Sequence, residues 1–203
     1  LRVDEALVPG RECGPCTVCC SVLTVDTADF QKLPGVTCPN CVGGKGCQIY
    51  ETRPPVCRIW FCAWRALPWV HDALRPNDSE VLAHLTIENL PEGYAYDTGI
   101  EFLVLSSAGL KATGLAETIR RAITSRMPAF LAVPGAPGFR GSRWLLNDLL
   151  FEIAESGDHK LLLAEMKKLY VSARLLAQVD ATGSVALLHG STATPPNVVA
   201  RPD

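Results

Sequence analysis

All nine cysteines of the 203-residue chain fall between Cys13 and Cys62, and the remainder contains none. They run Cys13-Gly-Pro-Cys16-Thr-Val-Cys19-Cys20, then Cys38-Pro-Asn-Cys41, then Cys47, Cys57 and Cys62. Thiolates that bind a metal must converge on one point at about 2.3 Å. Two cysteines three positions apart do so through a single tight turn, whose folded backbone also aims N–H groups at the sulfurs. That spacing occurs at 13/16, at 16/19 and at 38/41. Cysteines at this density, in a reducing compartment, point to metal ligation, and all nine are candidate ligands.

Two kinds of centre fit the spacing. A Cys-x2-Cys-x2-Cys run such as Cys13, Cys16 and Cys19 is how bacterial ferredoxins hold three corners of a [4Fe–4S] cube, with Cys57 or Cys62 here as the remote fourth. Cys38-Pro-Asn-Cys41-Val-Gly instead has the form of a zinc-ribbon or rubredoxin knuckle, suited to one tetrahedral ion. The cofactor expected is therefore an iron–sulfur cluster or zinc. Cys13-Gly-Pro-Cys16 also matches the thioredoxin tetrapeptide, but Arg11-Glu12 precede it where a strand and a Trp belong, and Cys19-Cys20 follow at once. Buried free thiols or disulfides are the bland alternative. In extended backbone Cys19 and Cys20 point to opposite sides. They are then expected to face two centres, or two irons of one multinuclear centre: Cys13, Cys16 and Cys19 with Cys57 or Cys62 on one side, and Cys20 with Cys47 and Cys38 or Cys41 on the other.

Arg53 and Arg58 stand beside the thiols in sequence and could offset the negative charge of a thiolate centre. Tyr50, Trp60 and Phe61 are expected to pack around it and exclude water. His71, His84, His159 and His189 are scattered, and His84 lies in a strand pattern that suits a hydrogen-bonded sheet residue. Asp97, Glu101 and Glu117 show no spacing that suggests acid–base catalysis, and neither Ser106-Ser107 nor Gly135 to Gly138 forms a nucleophile elbow or phosphate loop. The sequence names no catalytic residue.

With Cys-x2-Cys-x2-Cys-Cys, a cysteine in a glycine-rich loop, Cys47-x-Ile-Tyr-Glu-x-Arg-Pro-x-x-Cys57-Arg and Cys62, residues 11–66 resemble the YkgJ-type cysteine-cluster proteins, described as zinc- or iron-chelating domains. Cys13, Cys16, Cys19, Cys20, Cys41, Cys47, Cys57 and Cys62 fit that pattern; Cys38 is the ninth. A related pattern occurs in flagellin lysine methylases, where it is thought to hold an iron–sulfur centre. The resemblance implies metal binding in a structural or sensing role. An iron–sulfur enzyme or enzyme partner is the rival implication, and a zinc interaction module a third.

The elements that must position these residues divide the chain. Residues 1–12 read as an extended lead turning at Pro9-Gly10, Ser21–Asp26 as a short strand and Thr27–Leu33 as a helical turn capped by Thr27 or Asp29. Residues 38–47 read as loop, and 56–66 as a helix with Trp60 and Trp64 on one face. Beyond Pro76, Val81–Ile87, Ile100–Leu105 and Ala129–Val133 read as strands. Thr113–Arg126, Ser142–Glu155 and a segment capped by Asp158 and running to Gln178 read as helices. The expected fold is α+β in one domain: an irregular, metal-organised cysteine-rich half (11–66) on a small mixed sheet with two or three helices (67–179), then a mobile tail (180–203). Hydrophobic residues at 48% suit a real core, and a net charge of −2 offers no field for nucleic acid. No apolar run spans a bilayer and residues 1–10 lack a signal-peptide core, so a cytoplasmic protein with no membrane partner is expected, a protein partner remaining open.

Overall fold

The computed structural model describes residues 7–94 and 96–181. Chain order begins with helix α1 (Val18–Val22) and the hairpins β1 (Val25–Asp26)–β2 (Gln31–Lys32) and β3 (Cys41–Val42)–β4 (Gly46–Cys47). Short helices α2 (Pro55–Ile59), α3 (Ala63–Ala66) and α4 (Pro76–Ser79) follow. Then come β5 (Val81–Thr86), β6 (Gly99–Val104), α5 (Leu115–Thr124), β7 (Ala129–Val133), β8 (Ser142–Leu145), α6 (Asn147–Ser156) and α7 (His159–Ala181). The fold is α+β.

Strands β5 to β8 form one sheet in sequence order, paired antiparallel, parallel and antiparallel. Strand alternation gives the sheet two faces. Val81, Ala83, Ile100, Phe102, Ala129 and Leu131 lie on one face and join helices α5 to α7 in the main core. Leu82, Leu103 and Ala132 line the other, where Val18, Cys19, Val22, Leu23, Trp60 and Cys62 cover them. The molecule is thus layered as helices, sheet and cysteine-rich segment. All five residues of β7 are buried, as a strand covered on both faces requires.

Several local expectations are corrected. Residues 18–22 are helical, with Ser21 N donating to Thr17 O at 3.0 Å, so only Val25–Asp26 of the expected Ser21–Asp26 strand is extended. Thr27 caps no helix: its hydroxyl accepts from Phe30 N at 3.2 Å and closes the β1–β2 turn. The 38–47 loop contains the β3–β4 hairpin. The expected 56–66 helix is broken by extended backbone at Trp60 and Cys62. That break separates the two tryptophans: Trp60 packs on the sheet's second face and Trp64 enters the main core. Residues 142–145 form an edge strand, because pairing with β7 overrides their helical pattern, and helix begins at Asn147. Strands β5, β6 and β7 and helices α5 and α7 stand where expected, and Asp158 Oδ1 accepts from Leu161 N at 2.9 Å as a cap should. The tail expected at 180–203 falls, beyond Ala181, outside the described residues.

Candidate metal centre

Arg11 anchors the chain immediately before the first cysteine. It is 8% exposed, and its guanidinium donates to the carbonyls of Trp64, Leu67 and Val70 and to Asp72 Oδ1 at 2.6 Å. Arg75 donates to Cys13 O at 3.0 Å, and Cys16 N closes a turn on Cys13 O at 3.0 Å. The 38–41 knuckle is built in the same way, Cys41 N donating to Cys38 O at 3.0 Å, while Cys38 N ties it to Cys20 O at 2.9 Å. Gly46, at φ +80°, lies so close to the first turn that a Cβ there would stand 2.4 Å from Gly14 O.

None of the nine cysteines is in a disulfide, and their mutual electrostatic influence divides them into two adjoining groups. Cys16, Cys19 and Cys62 each lie within electrostatic reach of Cys13, and Cys19 and Cys62 of Cys16 as well. Cys41 and Cys57 share Cys20, Cys38 and Cys47 as neighbours. The first group is therefore Cys13, Cys16, Cys19 and Cys62, and the second Cys20, Cys38, Cys41, Cys47 and Cys57. Helix α1 joins them: Cys19 faces the sheet and Cys20 the β3–β4 knuckle, with their sulfurs 4.0 Å apart. The opposite-facing arrangement expected of extended backbone is corrected here, because a helix turns only about 100° per residue. Two sulfurs on one tetrahedral ion stand about 3.8 Å apart, so this pair is as near as two ligands of a single centre. Among the described residues, no three Cys, His, Asp or Glu side chains already converge as a finished site for one ion.

The donor set fits a thiolate-bound metal on three observations. The backbone N–H groups of Val18 and Asn77 near Cys16, and of Arg65 and Trp64 near Cys62, favour the thiolate form, as they do around thiolate ligands. Burial nevertheless pushes the Cys16 thiol up and Cys62 to about 11, a cost to the thiolate that a bound cation would offset. Third, buried guanidinium nitrogens without a partner flank both groups: Arg75 Nε near Cys16, and Arg53 Nε near Cys20 and Cys57. The contact with Cys19, the neighbouring Cys41 and the charges of Lys32 and Arg53 lower Cys20 against its burial. The same contact, with burial, pushes Cys19 up.

Of the arginines singled out in the sequence, Arg53 sits beside the second group, 3.8 Å over the Tyr50 ring with Phe61 on another side, whereas Arg58 is exposed. Trp60 packs with Cys19 and Cys62 on the sheet. Neither His71, whose Nδ1 accepts from Ala73 N, nor His159, which pairs with Glu117, joins the cysteines, and His189 lies outside the described residues. Glu101, unpaired by spacing, meets His84 at 3.3 Å and Arg143 at 3.3 Å on the sheet face that the cysteine segment covers. Asp97 is exposed. The loop 134–138 packs on the Pro34-Gly35 turn, Gly138 N donating to Pro34 O at 2.8 Å. Sequence reasoning missed Arg11, Lys32 and Arg75, which become neighbours of the cysteines only through tertiary folding. Cys13-Gly-Pro-Cys16 lacks a thioredoxin setting: no described strand leads into it, and the helix that follows starts only at Val18. Among the described residues no helix is long and apolar enough to cross a membrane. Compared with models of known families, with curated proteins and with solved structures, the chain gives no match.

Proposed function

We propose that this chain is a metal-binding protein of the YkgJ type that holds iron–sulfur, with zinc as the alternative load, in a structural or sensing role. The observation that carries the reading is the gathering of nine free thiols into two adjoining groups. Cys13, Cys16, Cys19 and Cys62 would hold one side, and Cys20, Cys41, Cys47 and Cys57, with Cys38 beside them, the other, of two adjoining centres or of one multinuclear centre that Cys19 and Cys20 bridge. The bound metal supplies cross-linking and, if it is iron, one-electron redox chemistry. The protein's own residues do the rest: Arg11 and Arg75 fix the first turn, backbone N–H groups orient the sulfurs, and Tyr50, Trp60 and Phe61 shield them. Free thiols in this number suit a reducing, cytoplasmic compartment. An iron–sulfur enzyme or enzyme partner is the rival that the polar row His84–Glu101–Arg143 beneath the cysteine layer would favour.

Elemental analysis and a visible spectrum of anaerobically purified protein test the reading. The expected result is more than one metal atom per chain, with iron, acid-labile sulfide and visible absorption for a cluster, or colourless zinc protein for the alternative. Cys20→Ser is expected to lower the metal content without abolishing it. Metal-free protein would sink the proposal, and a single atom per chain would sink the division into two centres.

A further inference from the structure

Lys32 is only 7% exposed, and its Nζ donates to Leu33 O at 3.2 Å and Val36 O at 2.8 Å. Both acceptors are neutral, and an ammonium carries three donors. Among the described residues no carboxylate lies within ion-pair distance of it. A buried charge without a counter-charge is costly. Burial works against its charge, and the thiols of Cys38, Cys20, Cys19 and Cys57, three of them in the second group, lie within its electrostatic reach; the Val36 carbonyl that Nζ binds is two residues before Cys38, whose N–H is tied to Cys20 O. The placement is built in: the turn carrying both acceptor carbonyls is strapped to α1 by Gly35 N on Val22 O at 3.2 Å and Cys38 N on Cys20 O at 2.9 Å. From outside it is held by the 134–138 loop, through Gly138 N on Pro34 O. Three tethers thus hold the turn that carries the ammonium beside the second group's segment.

We propose that Lys32 is a positioning residue for the second thiol group, its buried ammonium being the counter-charge of an anionic metal–thiolate centre built on Cys20, Cys41, Cys47 and Cys57. The assignment rests on the metal-binding reading above. It implies that this centre is net negative when loaded, since four thiolates outweigh a divalent ion. The first group takes its nearest cation from Arg75, and is expected to be indifferent to Lys32.

Zinc binding to reduced, metal-stripped full-length protein, read by competition with a chromophoric chelator, tests this with three substitutions. Lys32→Met removes the charge and the strap, Lys32→Gln keeps N–H donors for Leu33 O and Val36 O but removes the charge, and Lys32→Arg keeps the charge. Lys32→Gln is expected to weaken the second site by about 10-fold or more, the range of outer-shell substitutions at metal sites, with the first site unchanged. Lys32→Arg should restore most of the loss. In double variants, Lys32→Gln should be non-additive with Cys57→Ser and additive with Cys62→Ser. Wild-type affinity in Lys32→Gln, or equal loss in Lys32→Arg and Lys32→Gln, overturns the assignment and leaves Lys32 as a backbone strap. If Lys32→Met does not fold, Lys32→Gln decides alone. Wild-type protein that takes up no zinc overturns this inference; the metal-binding reading falls only if the anaerobically purified protein also carries no iron.

Discussion

His84 and Glu101 face each other across β5 and β6, and Arg143 reaches the same carboxylate from β8. Burial works against a charged imidazole here, but the Glu101 carboxylate 3.3 Å from Nε2 outweighs it and raises His84 above its ordinary 6.5. Burial likewise opposes the Glu101 carboxylate, and His84 and Arg143 together lower it below its ordinary 4.5. A raised histidine stabilises the fold fully below its unfolded value, and the gain is lost as pH rises through the folded value. A lowered carboxylate stabilises above its unfolded value, and the gain is lost as pH falls through the folded value. Both contributions are complete only between the ordinary values 4.5 and 6.5. His84→Gln is therefore expected to lower stability most near the middle of that window, where the ion pair is fully charged, and much less at alkaline pH. Denaturant titration of both proteins at acid and alkaline pH checks it; a pH-independent difference would show that the ring is uncharged or merely fills space.

The hairpin β3–β4 and the turn at 13–16 meet backbone to backbone at Gly46. Its φ is +80°, and Gly14 O lies only 2.4 Å from the place a Cβ would take, so alanine there must both adopt left-handed backbone and push the hairpin away. Gly44 is an internal control: its φ is +73°, yet nothing lies within 4 Å of a Cβ. Gly44→Ala is expected to cost about 1 kcal/mol, the left-handed penalty alone. Gly46→Ala should cost about 2–3 kcal/mol, strain plus clash, and should lower the metal content by displacing Cys47. Equal melting temperatures for the two variants would mean that the hairpin is not docked on the turn.

These small elements also mark where the sequence was hard to read. Helix α7 repeats its apolar residues over 23 positions and the strands β5 to β7 carry dense runs, so both periods were visible. Strands of two residues such as β1 and β4 carry no period at all. The cysteines announced themselves by spacing, but Cys57 and Cys62 are interchangeable by sequence. Only the break at Trp60 sends Cys62 under the sheet with Cys19 and leaves Cys57 beside Cys20. Lys32 sits in a polar stretch that looks solvated until the β1–β2 turn folds it inward.

At the scale of the molecule, the two halves draw their stability from different sources. The main core is built almost wholly from residues beyond Ala63: one sheet face, α5, α6 and α7. The cysteine segment up to Cys57 contributes no buried apolar side chain to it and consists of helices of five residues or fewer and two-residue strands. Elements so short do not persist on their own in water. What holds them, apart from Arg11, Arg75 and the patch around Leu82, Leu103 and Ala132, is the sulfur network. On the metal-binding reading, thiolate–metal bonds would stand in for a missing core, at an apparent ~10–16 kcal/mol for a structural zinc site. Stripping the metal from reduced protein with a chelator is expected to lower the melting temperature sharply and to release amide-exchange protection across 13–57. Strands β5, β6 and β7 should stay protected, because their hydrogen bonds and one whole face belong to the other half. Amide exchange followed by mass spectrometry, with and without chelator, separates the outcomes. Unchanged exchange at 13–57 would mean that metal does not support the fold. Loss of protection in β7 as well would mean that the cysteine layer is needed to keep the second sheet face covered.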